Sequence, residues 1–238
     1  MQQEIEFLKY KERGAYHWVQ ASNHMLKGNA FVKARYQKCL DLLNKGLPQI
    51  KNKKILDYGC GDGVFTYMLR EKGADTCGVD VSDIAIDFAR REHQKRGIKS
   101  NFYRIKSYTT PFDDNCFDAV VCSDVIEHVQ NHSLLLQEIY RVLKKGGYAV
   151  ISTPIRLTET PYDKMHIVEW FENEFAAIIN KVFSDVQFSV SHPLYWFEFI
   201  HLHKIFRLLI NGISIIRNPF LCGTGWRYYV MQYALVKK

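Results

Sequence analysis

Residues 54–71 read KILDYGCGDGVFTYMLRE, an apolar β-type run that breaks at Gly59, continues through three glycines at alternate positions and opens at once into a helical pattern. A strand that passes through glycine straight into a helix has few homes. Glycine lets the backbone leave the strand end sharply and lets a ligand approach without meeting a Cβ, so a nucleotide-like ligand is expected at this turn. The alternation continues to Ser152. TCGVDV, NFYRI, FDAVVCSD and GYAVIS carry strand patterns, and the segments between them repeat apolar residues every 3.6 positions. This βαβ rhythm predicts an α/β fold with a mostly parallel sheet. Ala119, Val120, Val121 and Cys122 form an unbroken apolar run, as a central strand buried on both faces requires. Gly73, Gly97 and the pair Gly146–Gly147 stand where the intervening helices should stop.

The glycine spacing excludes two ligand classes. A dinucleotide fingerprint needs GxGxxG, whereas Gly59, Gly61 and Gly63 give GxGxG with Val64 in the place of the third glycine. A phosphate loop of the Walker type fails too, because no Gly-Lys-Ser/Thr follows. What remains is an acid at each of two successive strand ends, Asp57 and Asp80. Two such carboxylates suit one ligand that carries both an ammonium group and a ribose diol, the description of S-adenosylmethionine.

At these residues the sequence resembles the class I S-adenosylmethionine-dependent methyltransferases, small-molecule members similar to the O-methyltransferases of the ubiquinone pathway included. ILDYGCGDG, GVDVS, PFDDNCFDAVVCSDVIEHV and LLQEIYRVLKKGGYAVISTP match in order and spacing over residues 54–154. The resemblance implies a Rossmann-like sheet of seven strands with the last antiparallel, helices on both faces and a helical insert before the last strand. It also implies roles. Asp57, with the backbone around Tyr58, Gly59, Cys60 and Gly61, would meet the methionine part of the cofactor. Asp80 would take the ribose hydroxyls and Val81 the adenine face, while Cys122 would approach the methionine part through its backbone. Many relatives place an acid before the Pro-Phe pair to bind the adenine amino group; RIKSYTTPF has Lys106 and Ser107 there instead, and Ser107 is the expected adenine-side contact.

Methyl transfer from sulfonium relies on holding acceptor and methyl group in line, with a base where a hydroxyl must lose its proton. His128 and Glu127, just past the fourth strand, are the candidates. Asp124, Glu127 and His128 have i, i+3, i+4 spacing, and with His166 they make a possible but not favoured divalent-metal set. The competing bland reading is a helix start stabilised by Glu127 with His128 packed on it. Tyr16 and His17 in KERGAYHWVQ, together with His166, are candidate acceptor contacts, although aromatic residues mostly serve burial.

The organisation follows. Residues 1–50 form a helical segment over the site, with Asn29 as a cap and Gly46 and Pro48 as a stop; 51–190 form the cofactor-binding core; 191–226 form an apolar helical insert; 227–238 supply the final strand. The late stretch contains a helix near 168–180 and a strand VFSDVQFSV, and the two last strands predict an antiparallel pair at one sheet edge. In the insert, Leu202, Ile205, Phe206, Leu209, Ile213 and Ile216 fall on one helical face with Lys204, Arg207, Asn211 and Ser214 opposite. Such a helix roofs an acceptor pocket, packs on the sheet, joins two copies, or contacts a membrane surface peripherally through residues 194–217.

The chain has 238 residues, 47% of them hydrophobic, enough for a real core, and 32 basic against 25 acidic side chains give a net charge of +7. That charge permits RNA contact, but no arginine-rich patch accompanies it, so nucleic acid is not expected. Six cysteines without a CxxC pair, and an N-terminus lacking an apolar leader, point to a reducing, cytoplasmic setting. The expected activity is methylation of a small-molecule hydroxyl on a glycan, lipid-linked or quinone-like acceptor. A metal-assisted RNA 2′-O-methyltransferase and a non-catalytic cofactor-binding or membrane-associated subunit are the alternatives.

Overall fold

The structure, a computed structural model, describes residues 9–221 and 228–238; Cys222, the end of the insert and Arg227 of the expected last strand lie outside the described residues. The chain runs α1 (Lys9–Arg13), α2 (Tyr16–Gln20), α3 (Ala30–Gly46), β1 (Lys54–Tyr58), α4 (Val64–Glu71), β2 (Asp75–Asp80), α5 (Asp83–Lys95), β3 (Asn101–Arg104) and β4 (Phe117–Ser123). A 3₁₀ turn (Ile126–His128) follows, then α6 (His132–Val142), β5 (Leu143–Pro154), α7 (Glu172–Ile179), β6 (Asp185–Pro193), α8 (Leu194–Leu202), α9 (Lys204–Ile216) and β7 (Tyr229–Lys237). The seven strands form one sheet in the order β3-β2-β1-β4-β5-β7-β6. Neighbours from β3 to β5 are parallel, and β7 runs antiparallel to both β5 and β6, as the sequence predicts.

Alternation along the strands divides the core into two layers. Ile55, Val121, Val150 and Tyr233 face α3 and α4, where they meet Leu43, Phe65 and Leu69. Leu56, Val120, Cys122 and Ile151 face α6 and α7, against Leu135, Ile139, Phe175 and Ile179. Ala119 to Cys122 are fully buried, which the continuous apolarity of that strand requires. Asn29 caps α3 by accepting from the N–H groups of Phe31 and Val32, at 3.0 and 3.4 Å.

Three boundaries differ from the sequence reading. Helix α6 stops at Val142, not at Gly146–Gly147, because the chain enters β5 directly; Gly146, at φ 76°, lies within that strand, where pairing with β4 shifts register between Phe117 and Ala119. Helix α7 begins only at Glu172, since Phe171 is extended and its N–H is taken by the Glu174 carboxylate at 3.0 Å. Val182 to Ser184 belong to the turn after α7, so β6 starts at Asp185.

The insert departs further. It is two helices broken at His203, whose φ of −157° is extended, and its apolar stripe does not face the core: Phe206 of that stripe is half-buried, while Lys204 and Arg207 opposite it stay exposed. Asn211, expected on the outer polar face, is 2% exposed. Its Oδ1 accepts the Ala30 N–H at 2.9 Å, and its Nδ2 donates to the carbonyls of Met25 and Gly28 at 3.0 and 2.7 Å. The start of α3 offers unsatisfied N–H groups, and Asn211 turns inward to meet one of them. The apolar stripe is thereby turned outward: Leu202, Ile205, Leu209, Ile213 and Ile216 are all exposed. Among the described residues, no helix is long and apolar enough to cross a membrane.

Candidate cofactor and acceptor site

β1 lies between β2 and β4, so successive connections leave it in opposite directions, and a crevice is expected beyond the carboxyl ends of these strands. A cavity of about 900 Å³ opens there. Asp57, Tyr58, Gly59, Cys60, Gly61, Asp80, Val81, Ser107, Tyr16, His17, His128 and His166 all line it. Cys122 and Glu127 do not; both are fully buried behind its wall, and the adjacent Ser123, Asp124 and Val125 line the cavity instead.

The glycine turn is a cradle. Gly59 and Gly61 adopt φ of 77° and 54°, and a Cβ on them would collide with Val125 and with the Tyr10 hydroxyl. Across from it, the two oxygens of Asp80 accept the N–H groups of Gly61 and Ser82 at 2.9 and 2.8 Å. These bonds fix the carboxylate in orientation and leave each oxygen a lone pair for a diol. Burial raises the Asp80 carboxyl above its ordinary value, opposed by those backbone donors. The Asp57 carboxyl is pushed up to about 7 by burial, with a 2.6 Å hydrogen bond from the Thr66 hydroxyl working against it. A buried acid poised there suits a cationic ammonium ligand. With a cradle that admits no Cβ, a diol-ready carboxylate and a second acid at the neighbouring strand end, the residues fit S-adenosylmethionine. The thiols of Cys60 and Cys122 are driven well up by burial and stay protonated.

The N-terminal helices close over this cradle through a residue that sequence reasoning passed over. Asp62, inside the glycine turn, is fully buried. Its Oδ2 accepts the His17 N–H at 2.9 Å, and its backbone carbonyl accepts the Trp18 indole N–H at 2.7 Å. Tyr16 stacks on His17 with ring centroids 4.0 Å apart, and burial pushes its hydroxyl up to about 12.

On the far side, the chain leaves β4 with Asp124 at φ 55°, in the left-handed region. The expected shared helical face of Asp124, Glu127 and His128 therefore does not form. A single 3₁₀ turn replaces the helix, and Asp124 pairs with Arg35 of α3 and accepts from Ser152 at 3.2 Å. Arg35 was also missed, although it sits on the Val32–Cys39–Leu43 stripe of α3, where a charge has a partner or a ligand.

His128 Nδ1 lies 2.9 Å from the Met165 carbonyl oxygen. A carbonyl only accepts, so Nδ1 carries the proton and, in the neutral ring, Nε2 holds the lone pair. His166 stands beside it, ring centroids 4.8 Å apart, with Nδ1 2.6 Å from the buried Glu169 carboxylate. The Glu127 carbonyl takes the N–H of Ile167 at 2.8 Å and so holds this loop against the turn. Glu127, His128 and His166 offer ligand-type atoms within 4.8 Å of one another. Burial first, and the Asp124 charge second, raise the Glu127 carboxyl well above its ordinary value. A metal is not favoured. Ile155, Leu157, Tyr162, Phe197, Val230 and Met231 give the wall an apolar and aromatic part, beside polar Gln130 and Asp163.

Residues 56–151 match the methyltransferase domain family. The chain is 34% identical over 188 residues to the rat mitochondrial ubiquinone biosynthesis O-methyltransferase, covering 74% of this chain and 50% of that protein. It is 32% identical over 131 residues to the demethylmenaquinone methyltransferase of Thermus thermophilus, covering 54% of this chain and 57% of that one. The chain thus spans about half the length of the curated relatives it matches. In fold it is similar to the Haemonchus contortus phosphoethanolamine N-methyltransferase 2 solved with S-adenosyl-L-methionine, at a TM-score of 0.66 and 19% identity over 99% of this chain and 60% of that one. With the cradle, the paired strand-end acids and the sheet order all in place, the chain carries a class I S-adenosylmethionine-dependent methyltransferase domain.

Proposed function

We propose that this chain methylates a hydroxyl of a small quinone-type phenolic acceptor. The observation that carries this reading is the tautomer and place of His128. Its Nδ1 proton is committed to the Met165 carbonyl, and its ring lines a cavity with the cofactor cradle at one end and an apolar, aromatic wall at the other. Bound S-adenosylmethionine supplies an electrophilic methyl group on a positively charged sulfur. Asp80 would hold the ribose of the cofactor and Asp57 its ammonium group. His128 Nε2 takes the proton of the acceptor hydroxyl as it is methylated. His166, steadied by Glu169, and Tyr16 and His17 line the acceptor space. Glu127 acts from behind the wall by holding the 165–168 loop through its carbonyl, so it is a positioning residue for His128. Similarity to two quinone-pathway methyltransferases supports the acceptor class.

The test is His128→Gln, followed on a phenolic acceptor with an apolar tail. The expected result is a fall in kcat of about 10²-fold or more with cofactor affinity unchanged, the usual worth of a positioned base. An unchanged kcat would sink the role of His128. Absence of methyl transfer to every phenol tried would sink the acceptor class. A divalent ion is the second reading, carried by the grouping of Glu127, His128 and His166; activity abolished by EDTA and restored by a divalent ion would favour it over the metal-free one.

A further inference from the structure

The outward stripe on the insert is left unexplained by methyl transfer. Ile216 is 93% exposed, Leu202 69%, and Ile205, Leu209 and Ile213 are each more than half exposed, along one line of α8–α9. A surface helix ordinarily turns such a stripe to the core. Here Asn211 forbids it, since rotating the helix would break its three hydrogen bonds to residues 25–30 and leave buried polar groups unsatisfied. Met25, whose Cε comes within 3.6 Å of where a Gly212 Cβ would stand, and Leu26 extend the stripe beside α9, both exposed. The charges of α9 are of one sign, while α8 carries the exposed Glu198. Lys27, Lys204, Arg207 and Arg217 are exposed near it, and no acidic residue occurs between Phe199 and Leu221.

We propose that this stripe rests in the interface of a membrane bearing anionic headgroups, with the basic residues against the lipid phosphates. Apolar side chains along α9 with cations beside them are the composition that binds such a surface, the single Glu198 of α8 being outnumbered by Lys27, Lys204, Arg207 and Arg217. A second copy of the chain fits less well. Helix α9 is about 20 Å long, and a strip roughly 10 Å wide along it offers roughly 200 Å², far short of the roughly 800 Å² per partner of a stable interface. The arrangement has a use at the active site. Phe197 of α8 lines the cavity and packs on Tyr162, ring centroids 5.6 Å apart, so the element that carries the membrane face also forms part of the acceptor wall. An acceptor with an apolar tail would pass from lipid to cavity without crossing bulk water. This last use rests on the proposed acceptor class; the docking itself does not.

The experiment is co-sedimentation of the chain with phosphatidylcholine vesicles, with and without phosphatidylglycerol, for wild type, Leu209→Ser/Ile213→Ser and Lys204→Glu/Arg207→Glu. All four side chains point outward, so folding is expected to survive, and cofactor binding by calorimetry verifies it. Wild type should partition at least tenfold more strongly into the anionic vesicles, and either double variant should lose about tenfold or more of that binding. No binding of wild type, binding indifferent to phosphatidylglycerol, or variants that bind as wild type would overturn the proposal. So would a wild-type dimer in light scattering that Leu209→Ser/Ile213→Ser converts to monomer, which would assign the stripe to a second copy. Cofactor binding and methyl transfer to a water-soluble phenol, unchanged in both variants, keep a failure here distinct from a failure of the proposed reaction.

Discussion

Arg35 of α3 and Asp124 at the end of β4 form an ion pair that joins the N-terminal region to the sheet at the cavity wall, with side chains 11% and 18% exposed. Asp124 holds a left-handed backbone there, a conformation an L-residue keeps only when its surroundings fix it. The pair therefore sets where the chain turns after β4, and with it where His128 stands.

Removing one partner strands the other in a poorly solvated place. Arg35→Met is expected to cost about 3 kcal/mol of stability, and Arg35→Met with Asp124→Asn should recover most of it, because no unpaired charge then remains. Urea titration of the two single variants and the double variant measures the coupling. Single losses that simply add would show that the pair acts on stability through separate contacts.

Cofactor affinity should depend on pH through Asp57. Burial pushes its carboxyl up to about 7, and it must be ionised to hold an ammonium group. The sign follows: as pH falls below about 7, binding weakens by up to about tenfold per pH unit because Asp57 must first lose a proton. At about pH 8 the ligand's own ammonium group begins to lose its charge. Calorimetry between pH 5.5 and 8 checks this in buffers of different ionisation enthalpy, which also count the proton released. Asp57→Asn should bind weakly and without that slope; a flat wild-type profile would place the ammonium group elsewhere.

His192 gives a pH effect on stability. It is fully buried, with Nε2 2.9 Å from the Phe31 carbonyl and Nδ1 2.6 Å from the Ser191 hydroxyl, and burial lowers it from 6.5 to about 3. The folded chain keeps it neutral while the unfolded chain protonates it, so its contribution is intact above about 6.5 and is lost as pH falls toward about 3. One proton corresponds to about 1.4 kcal/mol per pH unit. Asp57 acts in the opposite sense over part of this range, so the informative quantity is the difference between wild type and His192→Asn. Asparagine also tolerates the φ of 63° at this position. Urea unfolding between pH 4.5 and 7 should show that difference narrowing as the pH falls; parallel curves would mean that His192 is protonated in the folded chain.

The sheet is legible in the sequence because its signals are local. Strand runs such as Ala119–Cys122, and the glycines beside Asp57, are dictated by neighbours in the chain, and they bring Asp57 and Asp80 to adjacent strand ends at one cavity. What was not legible depends on distant partners. The i, i+3, i+4 spacing of Asp124, Glu127 and His128 describes a helix only if Asp124 is helical, and Arg35, 89 residues away, pairs with it outside that geometry. The insert's apolar periodicity locates a face but not its direction. That direction is decided by Asn211, whose partner Ala30 is 181 residues distant. Tyr10, Arg35 and Phe197 line the cavity from three separate stretches, and no spacing rule links them.

The position of β7 sets an order of assembly. It is the last strand along the chain, yet it lies inside the sheet, between β5 and β6. During synthesis from the N-terminus, the parallel half from β1 to β5, with its cofactor cradle, has all its strands in hand while β6 and the insert have none to pair with. The insert is therefore held at two places, by Asn211 against the start of α3 and, through β6, by the final strand. A nascent chain arrested before Tyr229 would own the cofactor cleft but lack Val230 and Met231 of the acceptor wall and the strand that pairs with β6.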